Sequence, residues 1–76
     1  MAASAAESAR LMRTAVRVLA CLTEVPPRKP SPVDLQRLRL AVPADKRDMD
    51  AETLASEVIL REAALAAARS ATTTAV

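Results

Sequence analysis

RLMRTAVRVLACL, residues 10–22, is the stretch that decides the fold of this 76-residue chain. Its apolar side chains recur at spacings of three and four, the period of one face of an α-helix. The face consists of Leu11, Ala15, Val18 and Leu22, with Met12, Val16 and Leu19 in the adjacent row. We predict an amphipathic helix over about residues 4–24. Pro26 and Pro27 should end it, because proline cannot continue the backbone hydrogen-bond ladder.

The same stretch carries three arginines on the side of the helix opposite the apolar face. Arg10, Arg13 and Arg17 are spaced at i, i+3 and i+7, which forms a basic stripe. Such a stripe is able to follow a nucleic-acid backbone, so these three residues are candidate phosphate-binding groups. A solvated helix face has the same pattern, and the chain has no aromatic residue to stack on a base. Nucleic-acid binding is therefore the alternative hypothesis.

The N-terminal segment also bears on where the protein acts. A membrane span is not expected, because the apolar run is short and arginines interrupt it. A secretory signal is not expected either, since no basic region precedes the apolar one. The segment is rich in Ala, Ser and Arg, as mitochondrial presequences are, so a targeting role stays open. Cys21 is the single cysteine and has no intramolecular disulfide partner, which favours a cytoplasmic protein.

A proline-rich linker follows over residues 25–31, and we expect it to be a stiff, extended spacer. Ser31 before Pro32 is typical of a helix start, since serine caps free amides and proline suits the first helical position. A short helix is predicted over about residues 32–42. Its buried side chains should be Leu35, Leu38 and Val42.

A strand is the alternative structure for residues 35–42. Leu38, Leu40 and Val42 alternate with Arg39 and Ala41, which is a strand period. A strand followed by helices would be similar to the ribbon-helix-helix DNA-binding dimers. That architecture needs two helices after the strand, and the remaining sequence offers one.

A third helix, over about residues 51–70, has the clearest start. Asp50 is suited to the N-cap position, and Glu52 lies near the positive end of the helix dipole. Glu57 and Arg61 are spaced for an ion pair. The apolar face contains Leu54, Val58, Ile59 and Leu65. We expect residues 71–76, ATTTAV, to be a frayed tail.

Composition excludes several classes of function. The chain has no Gly, so glycine-rich phosphate loops are excluded, and no His, so histidine-based triads and the usual zinc sites are excluded. We therefore expect no catalytic residues, no metal and no cofactor. It also lacks Phe, Trp and Tyr, which leaves a core of aliphatic side chains. The predicted fold is all-α, a single small helical domain of two longer amphipathic helices and one short helix.

The charge distribution and the apolar faces together indicate a binding protein. Residues 1–42 contain seven basic and three acidic side chains, whereas residues 43–76 contain four basic and six acidic ones. We expect a non-enzymatic adaptor, accessory subunit or regulator that binds a larger protein or forms a homo-oligomer. The candidate partner-binding residues are Leu11, Ala15, Val18, Leu22, Leu54, Val58, Ile59 and Leu65.

Overall fold

A computed structural model describes the backbone of residues 4–74 and the side chains of residues 4–70. Those residues contain helices and connecting segments and no strand. The elements are α1 (Ala5–Thr23), α2 (Pro32–Ala41), a 3₁₀ turn (Ala44–Lys46) and α3 (Ala51–Thr74). The all-α prediction of two long helices and one short helix is confirmed, and the alternative strand over residues 35–42 is wrong. A strand would place Leu40 on the same face as Leu38 and Val42, but Leu40 is 62% exposed while the other two are buried, as a helical period requires.

Helix α1 begins and ends with backbone groups that are satisfied locally. The Oγ of Ser4, at the N-cap, accepts a 3.1 Å hydrogen bond from the Glu7 amide. At the other end, the Arg28 amide donates to the Cys21 carbonyl at 2.9 Å. The proline-rich linker therefore folds back onto the last turn of α1, and is not the extended spacer that its composition predicts.

The start of α2 differs in one respect from its prediction. Ser31 occupies the N-cap and Pro32 the first turn, but the Ser31 side chain makes no capping hydrogen bond. The backbone provides the first bond instead, since the Leu35 amide donates to the Ser31 carbonyl at 3.0 Å. Proline lacks an amide hydrogen, so the first turn of α2 has one donor fewer to satisfy.

Helix α3 starts as predicted and ends later than predicted. The Asp50 carboxylate accepts a 2.9 Å hydrogen bond from the Thr53 amide, so Asp50 caps the helix. The helix continues to Thr74, whereas the prediction ended it near residue 70. No glycine or proline interrupts this segment, and threonine lowers helix propensity by only about 0.5 kcal/mol per residue. Residues 75–76 of the predicted tail lie outside the described residues.

The core lies between α1 and α3, with α2 against one side of the pair. The Ser8 hydroxyl contacts Glu62, and the other buried residues follow Ser8 in α1 but precede Glu62 in α3, so the two helices are antiparallel. Ala15 and Ala55 are fully buried, and their small side chains permit close approach of the helices. The buried apolar residues are Ala15, Val18, Leu38, Val42, Leu54, Ala55 and Val58.

Side chains rather than glycine hold the connection between α2 and α3. Arg39 donates to the carbonyls of Arg47 (2.6 Å) and Met49 (3.2 Å), and Arg47 donates back to the Arg39 carbonyl at 3.0 Å. Lys46 forms a 2.8 Å ion pair with Glu57. The carboxylate of Glu57 therefore pairs across the connection, and not with Arg61 as the helical spacing predicted.

Candidate interaction surface

The predicted partner-binding residues divide into three groups by burial. Ala15, Val18, Leu54 and Val58 are fully or almost fully buried in the chain's own core. Side chains in that position contribute to folding and offer no surface to a partner.

A second group lies at the edge of the core, and one residue lies outside it. Leu11, Leu22 and Ile59 are partly buried and pack against the core cluster. Leu65 is 48% exposed. Of the predicted set, these four residues retain surface that another molecule could reach.

The arginine stripe is divided by an intramolecular ion pair. Arg17 donates to both carboxylate oxygens of Asp34 on α2, at 2.8 and 3.1 Å. This hydrogen bonding lowers the pKa of the buried Asp34 carboxyl, although burial opposes the shift, and it raises the pKa of Arg17. A bidentate arginine–carboxylate pair fixes both side chains. Arg17 therefore fastens α2 to α1.

Arg10 and Arg13 differ from Arg17 because they remain on the surface. Both are exposed, and neither makes an ion pair or side-chain hydrogen bond with the described residues. The candidate phosphate-binding stripe thus retains two available guanidinium groups. This division was not predictable from the residues around Arg17, because the carboxylate that binds it lies seventeen positions away.

A buried polar contact between α1 and α3 was missed by sequence reasoning. The Ser8 hydroxyl donates to Glu62 at 2.5 Å, and both residues are buried. Glu62 is not among the side chains that the apolar period of the third helix predicted to be buried. The signal that could have identified it is its position eleven residues after Ala51, on the same side of α3 as Ala55 and Val58.

Large apolar side chains are exposed on both long helices. Val16 of α1 is 53% exposed, and Leu60 of α3 is 67% exposed. Helix α2 also exposes Val33 and Leu40, on the side away from the core. Single exposed apolar residues are normal on protein surfaces. Their positions relative to the three helices therefore decide which of them belong to a candidate binding surface.

One side of the α1–α3 pair is covered and the other is open. Arg17 and Asp34 place α2 on one flank of α1, and Lys46 with Glu57 places the following turn on the same flank of α3. Helical spacing puts a second set of side chains on the opposite flank. We call this surface the open groove, and its residues are Met12, Val16 and Leu19 of α1 with Ile59 and Ala63 of α3.

Met12, Leu19 and Ile59 are partly buried, while Val16 and Ala63 are exposed. Two charged residues lie at the rims of the open groove. By helical position, Arg13 borders it on α1 and Glu52 borders it on α3. Both are exposed, and neither forms an ion pair or side-chain hydrogen bond within the described part of the chain. The surface is thus apolar along its centre with one cation and one anion at its margins.

Among residues 4–74, no cluster of three or more His, Cys, Asp or Glu side chains is arranged to hold a metal ion. Cys21 is a partly buried free thiol. No helix in this range combines the length and the apolar character needed to cross a bilayer. No protein-family model, curated protein or solved structure matches the chain.

Proposed function

We propose that this protein is a non-enzymatic helical adaptor, accessory subunit or regulator that acts by binding protein through the open groove. The observation that supports this most is the unequal covering of the α1–α3 pair. Helix α2 occupies one flank, while Met12, Val16 and Ile59 line the other with no described element packed over them. An apolar surface between polar rims is typical of protein interaction sites.

The small core supports the same proposal. Among residues 4–70, two of the seven buried apolar residues are alanines, and none is aromatic. A chain below about 80 residues gains little stability from such a core, and association is a common remedy. Covering the open groove would bury further apolar area at about 25 cal/mol per Å².

The proposal is tested by crosslinking in cells of the native host, with a photoreactive residue placed at Val16 or at Val33. These valines have similar exposure, 53% and 59%, but Val33 lies on α2 away from the open groove. Position 16 should give specific protein adducts, which Val33 should not. Equal labelling from the two positions, or no adduct from position 16, would contradict the proposal.

Nucleic-acid binding through the arginine stripe remains the alternative, and it requires its own variant. Arg10 and Arg13 should be changed to Gln while Arg17 is retained, because Arg17 fastens α2 through Asp34. Gln has helix propensity similar to that of Arg, so the fold should persist. If the native chain bound nucleic acid below about micromolar Kd at physiological salt and this variant did not, the alternative would replace the protein-binding proposal.

A further inference from the structure

We propose that Ser31 is a phosphorylation site and that its phosphate caps the start of α2. The enzyme class that fits is a serine/threonine kinase that requires proline directly after its target residue. Ser31 is followed by Pro32, and no other serine or threonine of the 76 residues precedes a proline. The proposal is independent of the open groove, because Ser31 lies where the linker meets α2.

The Ser31 hydroxyl is accessible and has no hydrogen bond to lose. The residue is exposed, its backbone is extended (φ −61°, ψ 132°), and its side chain makes no capping hydrogen bond. Residues 23–29 and 32–33 are exposed as well. Phosphoryl transfer requires that the attacking hydroxyl be aligned with the phosphoryl group. An exposed, extended segment allows this alignment without the unfolding of a helix.

The other serines of residues 4–70 lack at least one of these features. Ser8 is buried, and Ser56 and Ser70 lie within α3. The Ser4 hydroxyl already accepts a hydrogen bond as the cap of α1. Within this part of the chain, Ser31 alone combines an exposed hydroxyl, an extended backbone and a following proline.

The reaction is balanced with ATP as the phosphoryl donor. The Ser31 Oγ forms a bond to the γ-phosphorus while the bond from that phosphorus to the β–γ bridging oxygen breaks, and ADP leaves. The hydroxyl proton passes to the catalytic aspartate of the kinase. The product carries a charge of about −1.5 to −2 at neutral pH, where the serine carried none.

The first turn of α2 offers hydrogen-bond donors to such a phosphate. The backbone amides of Val33 and Asp34 donate to no acceptor among the described residues. These are the amides from which a side chain at the N-cap normally accepts. The positive end of the helix dipole also favours negative charge at this position. A phosphate on Ser31 brings three acceptor oxygens to these two donors.

The charged side chains around Ser31 favour a phosphate as well. Arg28 and Lys29 precede it by three and two positions, and Lys29 forms no ion pair with the described residues. The acidic residue in the first turn of α2 is Asp34, and Arg17 binds both of its carboxylate oxygens. This pairing reduces the repulsion between Asp34 and a phosphate. Phosphorylation should therefore stabilise α2.

The site is tested by incubating the purified full chain with ATP and a proline-directed serine/threonine kinase, followed by mass spectrometry of the intact chain and its peptides. We expect the gain of one phosphoryl group, located on Ser31. Ser31→Ala should gain none, and Pro32→Ala should lose most of the incorporation. Ser56→Ala is the matched control, because Ser56 is an exposed serine without a following proline, and it should be phosphorylated like the native chain.

The chain isolated from its native host, with phosphatases inhibited, should carry the same phosphate on part of its molecules. No incorporation, incorporation at another residue, or a Pro32→Ala chain phosphorylated as fast as the native one would overturn the site. So would the absence of phosphate from Ser31 in the chain from the host.

The capping role is tested by urea unfolding of the phosphorylated chain. Its equilibrium constant for folding should be about two- to fivefold larger than that of the unmodified chain, as for a negative charge at an exposed helix N-terminus. Salt should reduce this gain. Ser31→Asp places one negative charge at the same position without a kinase, and it should change stability in the same direction. A phosphorylated chain that is less stable would show that the phosphate repels Asp34 or displaces it from Arg17, and would overturn the capping role.

Discussion

The two halves of α3 have similar apolar composition and different surroundings. Over residues 51–62, buried side chains recur every three or four positions, namely Leu54, Ala55, Val58 and Glu62. Over residues 63–70, every side chain is exposed, including that of Leu65. The periodicity continues into the second half, since Leu65 lies on the same side of the helix as Val58. The buried half is the one that lies alongside α1.

The length of α1 explains where the change occurs. Ser8 is level with Glu62, and the helix begins at Ala5, level with about Leu65. Helix α3 has 24 residues against 19 in α1, which corresponds to about 36 Å against about 28 Å. The apolar period of α3 therefore indicates which of its residues can be buried, and the length of α1 decides which of them are buried.

The largest expected effect comes from the same substitution in each half. Leu54→Ala removes a fully buried side chain and should lower the free energy of unfolding by about 2–5 kcal/mol. Leu65→Ala should change it by about 0.5 kcal/mol or less, because Leu65 is already half exposed. Urea unfolding followed by circular dichroism measures both. Comparable losses of unfolding free energy in the two variants would mean that Leu65 is packed as tightly as Leu54, and would contradict the difference between the two halves.

A smaller effect is expected at the boundary between the halves. Ser8→Ala removes the donor to the buried Glu62 carboxylate and should cost about 1–3 kcal/mol, since a buried acceptor loses its partner. Ser56→Ala is the matched control, because Ser56 is an exposed serine on the first half of α3. Its loss should stay within about 0.5 kcal/mol. Equal effects in chemical unfolding would show that the Ser8–Glu62 contact does not stabilise the pairing of the helices.

The smallest effect concerns Asp50, which caps α3 at the start of its buried half. Hydrogen bonds from the side chain and backbone amide of Thr53 lower the pKa of Asp50. A carboxyl whose pKa is lower in the folded state stabilises the fold at pH above its unfolded pKa of about 3.9. That stability is lost as the pH falls through the lower folded value.

Two substitutions of Asp50 separate its role as helix cap from the effect of its ionisation on stability. Asp50→Asn keeps a good N-cap and removes the acid, so the unfolding free energy should fall less steeply below about pH 4 than in the native chain. Asp50→Ala removes the cap and should also lower stability at neutral pH. Unfolding measured between acidic and neutral pH tests both. An Asp50→Asn curve that parallels the native curve through the acid range would contradict the assigned pKa shift.

The elements that local sequence determines were predicted well. The period of Leu11, Val18 and Leu54 indicated the long helices, and Asp50 indicated the start of α3. Proline marked the end of α1 near its observed position. These features depend on residues within about one or two helical turns of each other, so one sequence contains the information needed.

The features that depend on helix packing were not predicted. The burial of Glu62 was not predicted because its partner, Ser8, is 54 positions away. Arg17 was assigned to the basic stripe because nothing local indicated that Asp34 would approach it. The open groove likewise became visible only when α2 was placed on one flank. In each case the missing information was which helix lies beside which.

The reciprocal bonds of Arg39 and Arg47 have a consequence for the permitted length of the chain between them. Each side chain bonds to a carbonyl eight positions away, so the spacing itself is part of the structure. Inserting or deleting one residue within 40–46 would displace both donors from both acceptors at once. The connection from α2 to α3 should therefore tolerate substitutions more readily than insertions or deletions. Related chains should keep the length of this connection even where its amino-acid sequence varies.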